Sequence, residues 1–189
     1  MGHSAGGQLA LTTGLCENPP RAIVDFYGCK QLGDAFWTEP SPPFAQIPPQ
    51  AKEHILKIFE GPQAITSLPL FIDGKPAMGD PRCAWYITQL RDGKSISSII
   101  PDGDYQRVDA TTQLTSDFPP TYFFHGIPDV FVDRGLTVRT HERLRELGVK
   151  TKLDLGEGMG HVFDFSLQET DPLFRKHVIP ALEFLQLHV

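Results

Sequence analysis

Gly2-His3-Ser4-Ala5-Gly6 is the stretch on which the reading of this chain turns. It has the form Gly-x-Ser-x-Gly, in which the serine sits on a sharp strand-to-helix turn. The backbone there is strained, so the flanking positions have to be small. Such a turn lifts the serine Oγ clear of the sheet and aims a helix N-terminus at the reaction centre. The backbone N–H of Ala5 is then the candidate oxyanion donor. Gly6 and Gly7 are expected to let the following helix pack closely on the sheet. Alone the pattern is a modest signal, arising by chance in roughly one chain in twenty of this length.

Working outward, Ala22-Ile23-Val24-Asp25-Phe26-Tyr27-Gly28 reads as a buried strand. So does Thr121-Tyr122-Phe123-Phe124-His125-Gly126, entered through Pro119-Pro120. Thr151-Lys152-Leu153-Asp154-Leu155 alternates and predicts a more exposed edge strand. Helices are predicted between them. One runs near 5–15 with Leu9 and Leu11 and stops around Gly14. Arg134 to Leu147 places Leu136, Leu144 and Leu147 on a helical repeat, with Gly148 just past its end. A last helix starts at Asp171-Pro172 and carries an apolar stripe of Phe174, Val178, Ala181, Leu182 and Leu185, with a kink expected at Pro180. Strands alternating with helices predict an α/β fold with a mostly parallel sheet and flanking helices.

Residues about 30–118 break that rhythm with many prolines and two short helix candidates. In one, about 51–59, Ala51, Ile55, Ile58 and Phe59 share a face. In the other, about 82–91, Cys83, Tyr86 and Leu90 align, and Asp80 is the expected cap. The segment reads as a helical, cap-like insertion within a single domain spanning 1–189.

The bulk properties exclude several classes. With 189 residues, 40% hydrophobic and 21% charged, the chain is long enough and apolar enough to bury a core. A net charge of −6 does not favour nucleic acid, whose phosphates need a basic face. No apolar run approaches the roughly 20 residues of a membrane helix, and the first residues do not read as a secretory leader. Cys16, Cys29 and Cys83 are odd in number and lack metal-like spacing. They predict buried free thiols in a reducing, cytoplasmic compartment. No ligand cluster implies a metal or cofactor.

A serine hydroxyl needs a base, and the base needs an orienting acid. Asp129 lies just after the strand ending in His125-Gly126, and His161 lies in Gly156-Glu157-Gly158-Met159-Gly160-His161 after the next strand. Both loops leave C-terminal ends of parallel strands, where open α/β sheets place their sites. Rivals remain at this point: His125 as the base, and Asp133 or Asp25 as the acid. Asp164 reads as a helix or turn cap. His54, His141, His177 and His188 read as residues of helix surfaces or ends. Phe36, Trp37, Trp85 and Phe163 suit either an acyl pocket or a core.

Four segments together resemble the esterase/lipase branch of the α/β-hydrolase superfamily, near its hormone-sensitive-lipase-like and feruloyl-esterase-like groups. They are Gly-His-Ser-Ala-Gly-Gly at 2–7, Ile-Val-Asp-Phe-Tyr-Gly at 23–28, Pro-Pro-Thr-Tyr-Phe-Phe-His-Gly-Ile-Pro-Asp at 119–129 and Gly-Met-Gly-His-Val-Phe at 158–163. The resemblance implies Ser4 as nucleophile, Asp129 as acid and His161 as base. It also implies a small-molecule ester as substrate, with amidase, thioesterase or peptidase chemistry as alternatives on the same triad. The family carries four or five strands before the elbow, whereas here the elbow begins at residue 2. The resemblance therefore implies an N-terminally truncated chain without the strand feeding Ser4 and without the His-Gly-Gly loop. Such a chain would offer an open sheet edge for self-association, and an inactive fragment or pseudoenzyme is the further alternative.

Overall fold

The structure is a computed structural model that describes residues 1–60, 71–72 and 75–188. In chain order its principal elements are β1 (Gly2–His3), α1 (Ala5–Thr12), β2 (Ile23–Phe26), α2 (Ala35–Thr38), α3 (Lys52–Leu56), β3 (Phe71–Ile72), β4 (Lys75–Pro76), α4 (Pro81–Arg91), β5 (Thr121–Gly126), α5 (Arg134–Glu146), β6 (Thr151–Gly156) and α6 (Ile179–Gln186). The chain divides into two compact units, one of Met1–Leu32 with Asp104–Val189 and one of Gly33–Gly103.

The first unit is built on a parallel sheet in the order β1-β2-β5-β6. β2 and β5 are buried at every position, as strands covered on both faces must be. β6 lies at the edge, as expected, and is more exposed than β2 and β5, but its burial does not alternate as the sequence suggests: Leu153 and Asp154 are both half-buried and Leu155 is exposed. The two-residue period of the strands sorts the core into two layers. Val24, Phe26, Tyr122 and Phe124 point to one face, where Val178 and Ala181 cover them. Ile23 and Phe123 point to the other, with Leu11 of α1 and Leu144 of α5. Burying each such aromatic ring contributes about 2–3 kcal/mol.

The helices end where local chemistry ends them. Asp133 caps α5, accepting from the Gly135 N–H at 3.1 Å. Gly148, at φ 78°, takes the left-handed position just beyond its last turn. Ahead of α6, residues Phe174–Val178 form a π-helical turn immediately before Pro180. Proline has no N–H and its ring crowds the preceding turn, so the backbone widens there instead of continuing as α-helix. Val178 and Ala181 are buried and Phe174 and Leu185 pack beside them, but Leu182 is exposed and Phe184 joins the stripe.

In the second unit α4 buries Cys83, Ala84, Ile87 and Leu90, and Asp80 caps it as expected by accepting from the N–H groups of Arg82 and Cys83. Trp37, 1% exposed, belongs to the buried core of this unit. α3 and the 3-10 turn Lys57–Phe59 occupy the predicted helical stretch, but the expected apolar face is not buried: Phe59 is 79% exposed. β3 and β4 form a short antiparallel pair with no signature in the sequence, since two residues are too few to show a period. Among the described residues no helix is long and apolar enough to cross a membrane.

Candidate active site

The strand expected to be missing ahead of Ser4 is present in miniature. Gly2 and His3 pair in parallel with Asp25 and Phe26, and the Ser4 N–H donates to the Phe26 carbonyl at 2.9 Å. These bonds hold Ser4 at φ 51°, a left-handed conformation that costs a non-glycine residue about 1–3 kcal/mol. α1 starts at Ala5, whose N–H, in the first turn, has no intrahelical acceptor. Close packing behind the turn at Ser4 rests on Gly2 and Gly7, a correction to the expected role of Gly6. A Cβ on Gly2 would stand 1.9 Å from the Gly6 carbonyl oxygen, and one on Gly7 would stand 2.2 Å from Asp25 Oδ1. A Cβ on Gly6 would meet nothing within 4 Å, because that residue faces away from the sheet.

His161 and Asp129 come to the same end of the sheet from the loops after β6 and β5. The His161 Nε2 lies 2.9 Å from Ser4 Oγ, and its Nδ1 lies 2.7 Å from Asp129 Oδ2. The imidazole sits between the rings of Tyr27 and Phe131, with centroids at 4.7 and 5.5 Å. Its side chain is 8% exposed and that of Asp129 is fully buried. Asp129 Oδ1 accepts from the backbone N–H groups of Phe131 and Val132 at 2.8 and 3.2 Å. Oδ2 is also 3.3 Å from His125 Nε2. Burial works to raise the Asp129 carboxyl pKa, but the bonds from His125 and His161 outweigh it and hold it well below the usual carboxylate range.

The rivals are otherwise engaged. Asp133 caps α5, and Asp25 is ion-paired with Lys30 at 2.8 Å with both side chains fully buried. His125 bonds to Asp129 and to the Val132 carbonyl, not to Ser4. Asp164 is not a cap. It pairs with His3 Nε2 at 2.9 Å and accepts the Tyr27 hydroxyl, tying the turn after His161 to β1 and to the end of β2. Burial works to raise this carboxyl as well, yet the bonds from His3 and Tyr27 win and lower it. His177 is 2% exposed, not on a surface, because its Nδ1 is held by Asp154 at 2.7 Å. Phe163 stacks on Phe124 at 4.3 Å as part of the core. Of the three thiols only Cys83 is buried, and Cys16 is exposed. Desolvation pushes the Cys29 thiol up to about 11, which makes it a poor nucleophile.

Backbone strain gathers around this site. Four non-glycine residues among those described have positive φ, and Ser4, Tyr27 and Val162 of these touch or adjoin the Ser4–His161 pair. Val162, at φ 57°, follows His161 directly and is β-branched, the residue type least suited to that conformation. Among the described residues no group of three or more His, Cys, Asp or Glu is arranged to hold a metal ion.

No family model matches the chain. By sequence it is 26% identical over 232 aligned residues to the non-reducing polyketide synthase ausA of Aspergillus calidoustus, covering 100% of this chain and 9% of that protein. A second, the non-reducing polyketide synthase Preu3 of Preussia isomera, is 26% identical over 224 residues, covering 98% and 9%. The chain thus spans under a tenth of the length of these curated relatives. By structure it is similar to a protein of unknown function from Staphylococcus aureus, with TM-score 0.66, 19% identity and coverage of 97% of this chain and 63% of that one. It is also similar to a sugar hydrolase from Lactococcus lactis, with TM-score 0.56, 16% identity and coverage of 98% and 56%. A carboxylesterase from Lactobacillus plantarum aligns with TM-score 0.52 and 15% identity, again covering 98% and 56%. The fold is that of the α/β-hydrolases.

Proposed function

We propose that this chain is a serine hydrolase that cleaves carboxylic esters, with Ser4 as nucleophile, His161 as general base and acid, and Asp129 as the orienting carboxylate. The observation that carries the reading is the unbroken line from Ser4 Oγ to His161 Nε2 at 2.9 Å and from His161 Nδ1 to Asp129 Oδ2 at 2.7 Å. Asp129, held ionised, accepts from Nδ1–H and so leaves Nε2 bare to take the serine proton. Ser4 Oγ attacks the acyl carbon, the Ala5 N–H donates to the oxyanion, and His161 returns the proton to the departing alkoxide. Water, deprotonated by the same imidazole, then releases the acid and regenerates Ser4. The compact unit Gly33–Gly103, inserted in sequence between β2 and β5, is read as the cap-like insertion on which substrate choice depends.

A thioester is the second acyl donor to consider, favoured by the match of the whole chain to a segment of non-reducing polyketide synthases. A thiolate, with a pKa of about 8.5, leaves without the protonation an alkoxide needs, so the same triad serves. Labelling by a fluorophosphonate tests the serine chemistry: wild type is labelled and Ser4→Ala is not. Comparing kcat/KM on a nitrophenyl ester and on an acyl thioester of matched chain length then separates the two donors. Folded protein that neither labels nor turns over either substrate would overturn the reading in favour of an inactive fragment.

A further inference from the structure

We propose that His125 is a positioning residue for Asp129, and that a buried series running from the Asp25–Lys30 ion pair through Thr137 fixes which nitrogen of His125 carries the proton. The inference rests on the reading of Asp129 as the acid that orients His161. It starts from the two-residue period of the strands. Asp25 of β2 and His125 of β5 lie on the face that also carries Ile23 and Phe123, against α1 and α5. There Asp25, Lys30, His125 and Thr137 are each 0% exposed, so none can turn to water for a partner.

The donors and acceptors permit one arrangement. The Lys30 ammonium only donates. It gives hydrogen bonds to Thr137 Oγ1 at 2.9 Å and to the Gly28 carbonyl, and lies 2.8 Å from Asp25 Oδ2. Asp25 Oδ1 is fixed in turn by the Gly28 N–H at 2.8 Å. Thr137 Oγ1 accepts from Lys30, and among the described residues His125 Nδ1, 2.7 Å away, is its one other hydrogen-bond partner, so the hydroxyl's single proton goes there. At the far side of the ring Nε2 faces the Val132 carbonyl at 2.9 Å, which only accepts. Both ends therefore require Nδ1 bare and Nε2 protonated. The same Nε2 lies 3.3 Å from Asp129 Oδ2, so its N–H also stands beside the carboxylate.

The consequence is a carboxylate with three hydrogen bonds and a fourth N–H group beside it. Two backbone N–H groups hold Oδ1, His161 holds Oδ2, and His125 Nε2 stands 3.3 Å from Oδ2 while bonding to the Val132 carbonyl. Asp129 cannot rotate about its side chain without breaking bonds on both oxygens, so Oδ2 stays aimed at His161 Nδ1. Lys30 and Thr137, remote from the reacting atoms, thereby select the His125 tautomer that presents Nε2–H on the side of Asp129.

Long-range proton–nitrogen spectra of the imidazoles in the wild-type chain read this directly, whether or not Ser4 reacts. His125 is expected to show a protonated Nε2 and a bare Nδ1. A protonated Nδ1 would overturn the proposal even if the hydrolase reading holds. The kinetic arm compares Thr137→Val, which keeps the shape and removes the hydroxyl, with Thr137→Ser, which restores it. Loss of one buried hydrogen bond in the series is expected to lower kcat and the fluorophosphonate labelling rate about tenfold in Thr137→Val, with KM unchanged. Thr137→Ser is expected to recover most of that loss. A folded Thr137→Val that labels at the wild-type rate counts against the series, and failure of wild type to label at all counts against the hydrolase reading alone. If Thr137→Val does not fold, the wild-type spectrum still decides.

Discussion

Replacing Asp129 by Asn changes one atom and is expected to remove nearly all activity. Oδ1 accepts two backbone N–H groups, from Phe131 and Val132, and Oδ2 accepts from His161 Nδ1. The amide has to choose. Turning its NH2 toward the backbone would strand two buried donors at about 1–3 kcal/mol each. It is cheaper to keep the oxygen there and place NH2 in the Oδ2 position. That puts an N–H donor 2.7 Å from His161 Nδ1, which must then give up its proton to act as acceptor. The proton moves to Nε2, which faces Ser4 Oγ at 2.9 Å and can no longer take the serine proton. The same substitution in the serine-protease template costs about 10⁴ in kcat, about 5.5 kcal/mol at 1.36 kcal/mol per decade. The measurement is kcat on a nitrophenyl ester beside the second-order rate of fluorophosphonate labelling, with a thermal melt to show that the variant is folded. A folded Asp129→Asn within tenfold of wild type would refute the reasoning. The pH dependence supplies a second check. The folded Asp129 pKa is depressed, so its contribution to stability is complete above the unfolded value of about 3.9 and is lost as pH falls through the folded value. The stability gap between wild type and Asp129→Asn should hold steady from neutral pH down to about 5 and close at more acid pH.

Three further outcomes are expected. Gly7→Ala drives a Cβ into Asp25 Oδ1 and the Gly28 backbone, and should lower the unfolding free energy by about 1–3 kcal/mol, whereas Gly6→Ala should be neutral or up to about 1 kcal/mol stabilising; chemical denaturation compares them. Lys30→Met leaves the fully buried Asp25 carboxylate unpaired, a loss of about 3–5 kcal/mol or roughly 6–20 °C in Tm, and an unchanged melt would count against the ion pair. With its thiol pushed up to about 11, Cys29 is below about one part in a thousand thiolate at pH 7.5, so iodoacetamide should modify exposed Cys16 in the native chain and reach Cys29 only after unfolding, as peptide mass mapping can establish.

The strand-to-helix turn at Ser4 was legible because its constraint is local. A serine at positive φ needs small neighbours, and Gly2 shows why: its missing side chain is where the Gly6 carbonyl lies. The strands were legible because Tyr122–Phe124 is apolar without interruption and Ile23–Phe26 is apolar but for Asp25, as burial on both faces demands. Asp129 and His161 could be singled out by their place after strands, though nothing in the sequence gives the distances between them and Ser4. The partners of buried polar residues were not legible. Asp164 looks like a cap because an aspartate near a turn usually is one, yet it serves His3, 161 positions earlier, and Tyr27. Lys30 and Thr137 carry no motif, and His177 sits where helix surfaces usually put a histidine.

Short-range rules thus determined from sequence alone the strands of the parallel sheet, the longer helices and the turn at Ser4, because periodicity and backbone sterics act within a few residues. Only the tertiary structure decided which buried donor faces which acceptor. A hydrogen bond depends on tenths of an ångström between groups as far apart in sequence as Lys30 and Thr137, and those separations exist only once β2, β5 and α5 have packed.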